Sequence, residues 1–322
     1  MRRTSARLTM AGIVAFATAA SLTVAAAGPG SATESAAPRT LAVGSPTGFG
    51  ASTTGGGNGT VHNVSNASQF TSAVQSSGSK QVRVNGTINL SSMVKVSANT
   101  TIIGVGSHAR IEGSGLNISR VNNVIVQNLT FSNSNDDAIN VEYATNVWID
   151  HNTFTNPNDG AVDIKRASDR ITVSWNRSYN VDKNMLLGHS DSNGSEDSGK
   201  LRVTYHHNWF DGTNQRNPRV RFGNPVHVYN NYFDSVGSYG VASTENAGVL
   251  VEGNYFENTD DPFHLGEGSS DKGSLVARNN HFVNSGSGQQ GGSVNSIPYG
   301  YSLQSASSVK ASVTAGAGVG KI

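Results

Sequence analysis

Short β-branched runs punctuate the chain. VWID, ITVSW, RVTY, VHVY, VLVE and LVAR are strand-length, alternate in polarity and are bounded by Gly, Asn, Asp and Ser, the pattern of half-buried strands. After most of them comes an Asn-x-Phe signature, at Asn152/Phe154, Asn208/Phe210, Asn231/Phe233, Asn254/Phe256 and Asn280/Phe282, with a degenerate copy at Asn176. Successive asparagines step by 24, 32, 23, 23 and 26 residues. Repeats of this length mean stacked supersecondary units. Helical periodicity is nearly absent; one short helix is expected in NASQFTSAVQSSG, capped by Asn66 or Ser68.

Units of about 23 residues with two or three strands and no crossover helix predict an all-β fold, a right-handed parallel β-helix whose coils rise by roughly 4.8 Å. A propeller blade needs about 40 residues, and a leucine-rich repeat needs a Leu ladder that is missing here. In the solenoid the asparagines stack at a turn and the phenylalanines stack inside, so neither needs a chemical role. The 32-residue step holds about nine extra residues, in KNMLLGHSDSNGSEDSGK. Insertions in a solenoid map to loops, often on the binding face.

The N-terminus changes the setting. Arg2, Arg3 and Arg7 precede the apolar run MAGIVAFATAASLTVAAA, which ends in small residues, as a secretory signal peptide does. The expected organisation is a signal peptide over residues 1–27, with cleavage between 27 and 32, a linker over 28–45 and a β-helix catalytic domain over 46–322. The mature protein is then extracellular, monomeric and free of the membrane. With no cysteine in 322 residues, a large regular core replaces the disulfides that an oxidising compartment permits. Lys+Arg 23 and Asp+Glu 22 nearly cancel, which gives no reason to expect a nucleic-acid partner.

Any strong field is therefore local. Counted back from the asparagines, Asp137 lies 15 residues before Asn152, Asp163 lies 13 before Asn176 and Arg216 lies 15 before Asn231, which predicts one angular column. With Asp159 beside Asp163 in NDGAVDIK, three carboxylates converge, and hard cations such as calcium take six to eight oxygen ligands. Asp137 and Asp159 also suit ordinary turns. Asp163 sits inside a strand-like run, where a carboxylate needs a partner. Arg216, Arg219 and Arg221 crowd into RNPRVR; facing an acidic metal site, they suit an extended polyanion, although surface salt-bridging explains Arg219 equally well.

These residues resemble the calcium-dependent pectate lyases of polysaccharide lyase family 1. The likeness rests on the order of VWIDH (Val147–His151), AVDIK (Ala161–Lys165), YHHN (Tyr205–Asn208), RNPRVR and VHVYNNY (Val226–Tyr232), over roughly residues 46–300. It implies β-elimination of de-esterified polygalacturonate with Ca2+ as cofactor. By position it puts the base on Arg216, substrate contacts on Lys183, Arg221 and Lys165, and calcium on Asp137, Asp159 and Asp163. Asp150 and His151 fall in a motif that looks structural. Asn135 stands where some relatives carry another calcium aspartate, and Thr244 where some carry a further arginine. Arginine is ordinarily always protonated, so the base assignment comes from the resemblance alone. Three other readings remain: a pectin lyase acting on methyl-esterified chains without calcium, a β-helix polygalacturonase using a carboxyl pair, and a noncatalytic carbohydrate-binding β-helix.

Overall fold

Each coil places three short strands at three corners, and successive coils stack them into three parallel sheets of ten, nine and eight strands. The computed structural model describes residues 44–322. The expected signal peptide and most of the 28–45 linker lie outside the described residues. The ten-stranded sheet runs from Thr60–Val64 to Ser274–Arg278, the nine-stranded from Thr87–Asn89 to His281–Val283, and the eight-stranded from Val94–Lys95 to Phe263–Leu265. The expected parallel β-helix is the fold observed.

The recurring asparagines explain the corner between the ten- and nine-stranded sheets. One residue per coil turns the chain in the left-handed region, namely Asn128, His151, Trp175, His207, Asn230, Gly253 and Asn279. Asn and Gly tolerate that region best. At Asn152, Asn176, Asn208, Asn231, Asn254 and Asn280 the next residue forms a ladder. Asn176 Oδ1 accepts from the Asn152 amide at 2.9 Å and from its Nδ2 at 3.1 Å, and the same pair of bonds repeats down to Asn280. Each Nδ2 also donates to a backbone carbonyl, as Asn208 does to Val173 at 2.9 Å. Both orphan backbone groups and buried amides are thereby satisfied.

Strand alternation fills the interior. Val147, Ile149, Val162, Ile164, Met185, Leu187 and Val220 point inward and are buried. Phe131, Phe154, Phe210, Phe233, Phe256 and Phe282 share one register, with Ser178 in the gap between Phe154 and Phe210. The ring pairs lie 4.3–5.4 Å apart, within the range of favourable aromatic contacts.

One end of the solenoid is closed by the helix Ala67–Gln75, which buries Phe70, Ala73 and Val74 and whose cap, Asn66, accepts from the Gln69 amide. A second helix, Ala306–Gly316, packs Val309 and Val313 against Trp175, Trp209, Tyr232 and Tyr255. The sequence pattern did not predict it, because two valines four residues apart are its only buried apolar anchors in a Ser/Ala-rich run. The outer face of the ten-stranded sheet is covered by the two ends of the described chain. There the Phe49 amide bonds Thr204, and Tyr299 and Tyr301 bond His227 and Glu252.

Register corrects the expected column. Asp163 stands level with Asn140, not with Asp137, and on the next two coils with Leu186 and Arg219, not with Arg216. The corner between Ile139–Glu142 and Thr145–Asp150 has two residues, whereas that between Gly160–Lys165 and Asp169–Ser174 has three. The unequal corners add one residue to the two by which the counts of 15 and 13 already differ, so Asp163 sits three positions from Asp137 in register.

Candidate active site

The eight-stranded sheet carries the charged residues on its outer face. In Gly160–Lys165 the inward Val162 and Ile164 are buried in the core, so Asp163 and Lys165 face the other way. Asp137 enters from the turn before Ile139–Glu142 and is also buried. Its Oδ1 accepts from the Gly160 amide at 2.9 Å, and its Oδ2 accepts from Lys165 Nζ at 3.1 Å. Lys165 Nζ also lies 3.4 Å from Asp163 Oδ2, so one ammonium bridges the two carboxylates. Asp163 Oδ1 is buried without a hydrogen-bond partner.

Gly160 makes this close approach possible. A Cβ there would lie 2.4 Å from Asp163 Oδ1 and 2.8 Å from Asp137 Oδ1. Burial raises the pKa of both Asp137 and Asp163, while the Lys165 charge opposes the rise. Burial would lower Lys165 in turn, but the two carboxylates outweigh it and hold its ammonium above the ordinary lysine value. Each group therefore depends on the others for its charge.

A second acidic edge lies beside this pair. Asp136, Asp137 and Asp159 present carboxylate oxygens all within 4.8 Å of one another. Asp159 Oδ1 accepts from Lys183 Nζ at 2.9 Å, and both side chains are roughly two-fifths exposed. Asp136 was not among the expected residues; the adjacent acid in NDDA was the available signal. Asn135 has its Oδ1 engaged by the Ser114 hydroxyl at 2.8 Å. Thr244 is buried and donates to the Val220 carbonyl at 2.8 Å.

The arginines differ from one another. Arg216 is half-buried, forms no ion pair among the described residues, and its buried Nε has no hydrogen-bond partner. Its positive charge lies near enough to lower the pKa of Asp163 against the effect of burial. Arg219 and Arg221 flank the inward Val220 on one strand, as their parity predicts. Arg221 Nε donates to Asp191 at 2.5 Å and its Nη1 to the Gly188 carbonyl at 3.2 Å. Arg219 Nη2 donates to Ser270 Oγ at 2.6 Å and to the Glu267 carbonyl at 3.2 Å. Asp150 and His151 sit on the ten-stranded sheet, where Asp150 accepts from Gln127 and Ser174 and lies 2.6 Å from His151 Nδ1.

Acidic oxygens next to lysines and an arginine without an ion pair among the described residues lie along one sheet of a parallel β-helix, and similarity to known proteins makes this a polysaccharide lyase. A family model described as pectate lyase matches residues 8–322. Pectate lyase A of Emericella nidulans is 42% identical over 266 residues, 79% of this chain and 80% of its own length. The pectate trisaccharide-lyase of Bacillus licheniformis is 37% identical over 292 residues, 84% of either chain. Among solved structures, a pectate lyase from Bacillus sp. N165 in complex with trigalacturonate matches with a TM-score of 0.79 and 34% identity, covering 86% of this chain and 99% of that one. The chain belongs to the pectate lyase family.

Proposed function

We propose that this pectate lyase cleaves polygalacturonate by calcium-assisted β-elimination, with Arg216 receiving the C5 proton. The observation that carries the reading is Arg216 itself: a guanidinium with no carboxylate partner among the described residues and an unpartnered Nε, beside a buried acidic site. The trigalacturonate bound to the Bacillus sp. N165 relative supports the substrate class.

The donor set fits calcium. Asp136, Asp137 and Asp159 supply only hard carboxylate oxygens within 4.8 Å of one another, Asp163 Oδ1 is buried and unpartnered, and Gly160 leaves the space beside it open. Calcium accepts such irregular oxygen cages. When bound, it supplies Lewis-acid stabilisation of the galacturonate carboxylate as charge builds toward an enediolate.

The chain's own groups do the rest. The C5 proton lies α to that carboxylate. The electrons of the C5–H bond form the C4–C5 double bond, and the bond from C4 to the glycosidic oxygen breaks; that oxygen takes a proton from solvent water, and the product end is unsaturated. Arg216, whose Nε is without a hydrogen-bond partner, accepts the C5 proton. Lys183 and Arg221 stabilise the developing carboxylate charge by hydrogen bonds that strengthen as it grows. Lys165 is the counter-charge of Asp137 and Asp163 and binds substrate carboxylate when the acids are otherwise neutralised. The basic, apolar N-terminal run supports export to the extracellular space.

Incubation with polygalacturonate tests this directly. Ultraviolet absorbance of the unsaturated product is expected to rise, to stop on chelation and to resume with added calcium. New reducing ends without that absorbance would indicate hydrolysis.

A further inference from the structure

The nine-residue insertion has a destination. It leaves the strand Lys183–Leu187 at Gly188, folds through the turns Asp191–Asn193 and Gly194–Asp197, and returns to the ten-stranded sheet at Val203. Gly188 has φ +93°, and a Cβ there would lie 2.6 Å from Arg221 Cβ. Only glycine lets the loop depart so closely over that arginine.

The loop tip meets a second loop. Asp191 Oδ1 accepts from Arg221 Nε at 2.5 Å and from Ser270 Oγ at 2.8 Å. Ser270 lies in the loop after Phe263–Leu265, three coils further along, a span of roughly 14 Å at one strand spacing per coil. The Ser270 hydroxyl has one hydrogen, given to Asp191, so it accepts at 2.6 Å from Arg219 Nη2. Donors and acceptors balance in one chain: Arg219 to Ser270, Ser270 to Asp191, and Arg221 to the same Asp191 oxygen.

We infer that Asp191 and Ser270 are positioning residues for substrate binding: joined across the arginine strand, they hold the guanidinium groups of Arg221 and Arg219 in the orientation that receives a galacturonate carboxylate. The inference deepens the proposed function and rests on Arg221 as a substrate contact. Asp191 uses Nε and Gly188 uses Nη1, so neither occupies Nη2 of Arg221. Asp191 anchors the fork from one side and leaves that nitrogen for a ligand. Arg219, for which the motif offered no required part, is tied into the same support by Ser270.

The test compares Asp191→Ala, Ser270→Ala and Arg221→Lys on polygalacturonate at saturating calcium, with thermal melts of each. Asp191→Ala is expected to raise KM about fivefold, the size an ion pair with one exposed partner carries, with a smaller fall in kcat and an unchanged Tm. Ser270→Ala should move KM in the same direction by less, and Asp191→Asn, which keeps the acceptor oxygen, should recover part of the loss. In an Arg221→Lys background Asp191→Ala should add little, because its partner fork is already gone. A KM that falls in Asp191→Ala would make Asp191 a competitor of substrate and overturn the inference. A lower Tm with unchanged KM would make the link merely structural and overturn it too. If Arg221→Lys itself leaves KM unchanged, the substrate role of Arg221 fails. If Arg221→Lys raises KM and Asp191→Ala does not, that role stands and only the positioning inference fails.

Discussion

Adding one methyl group at Gly160 probes the acidic site without removing a charge. The glycine's φ lies outside the left-handed region, so alanine brings no backbone strain there and the effect is steric. The new Cβ would sit 2.4 Å from Asp163 Oδ1, whereas ordinary contact begins at 3.4 Å, so the carboxylate must retreat by about 1 Å. Asp137 Oδ1, at 2.8 Å from the same point, must shift by more than half as much. Calcium–oxygen bonds span about 2.3–2.6 Å, and displacement of this size removes a donor from the cage. Disturbing the groups that orient metal ligands costs about 10–100-fold in affinity, and overpacking costs about 1–3 kcal/mol of stability. Calorimetric titration of Gly160→Ala with calcium, beside a thermal melt, is expected to show weakening of that order in a folded protein. A calcium Kd within twofold of the parent would refute the reasoning and move the metal away from Asp137 and Asp163.

Two further outcomes follow from the scaffold. Asn208→Ala removes a fully buried amide that accepts from Asn176 and donates to Asn231 and Val173; stranding those groups should cost about 3–5 kcal/mol, measured by denaturant unfolding, and a loss below about 1 kcal/mol would remove the ladder's stabilising role. Glu252 is fully buried; burial alone would raise its pKa, but hydrogen bonds from His227, Arg278 and Tyr301 prevail and bring it from the usual 4.5 to about 2. A depressed acid pKa gives stability that is present above pH 4.5 and is lost as pH falls toward 2, about 3 kcal/mol in all. Unfolding curves for the parent and Glu252→Gln should therefore converge across that window, and parallel curves would contradict the assignment.

The strands, the asparagine ladder and the phenylalanine stack were legible because each repeats a local rule once per coil. The corner residues His151, Trp175 and His207 were not, since they adopt the left-handed backbone at the position where other coils carry Asn or Gly. Asp137, Asp159 and Asp163 were found from residue type and spacing, Lys165 and Lys183 through the resemblance, and all five gather on one face. Their pairing was not readable: which acid meets which lysine depends on corner lengths that sequence counting treated as equal. Asp136 was hidden by its neighbour, because a doublet of acids in a turn carries no information about which one faces the groove. The partnership of Asp191 with Arg221 was invisible because it joins an insertion to a strand 30 residues away.

The central claim is that Arg216 takes the C5 proton, and Arg216→Lys tests it most directly. Lysine keeps the positive charge but not the reach or the planar fork. Measured on polygalacturonate at saturating calcium, kcat should fall by about 10²–10⁴, the range for loss of a general base, while KM and calcium affinity stay near the parent values. A variant that retains near-parental kcat would contradict the account, and Lys183 would be the next group to test as the base.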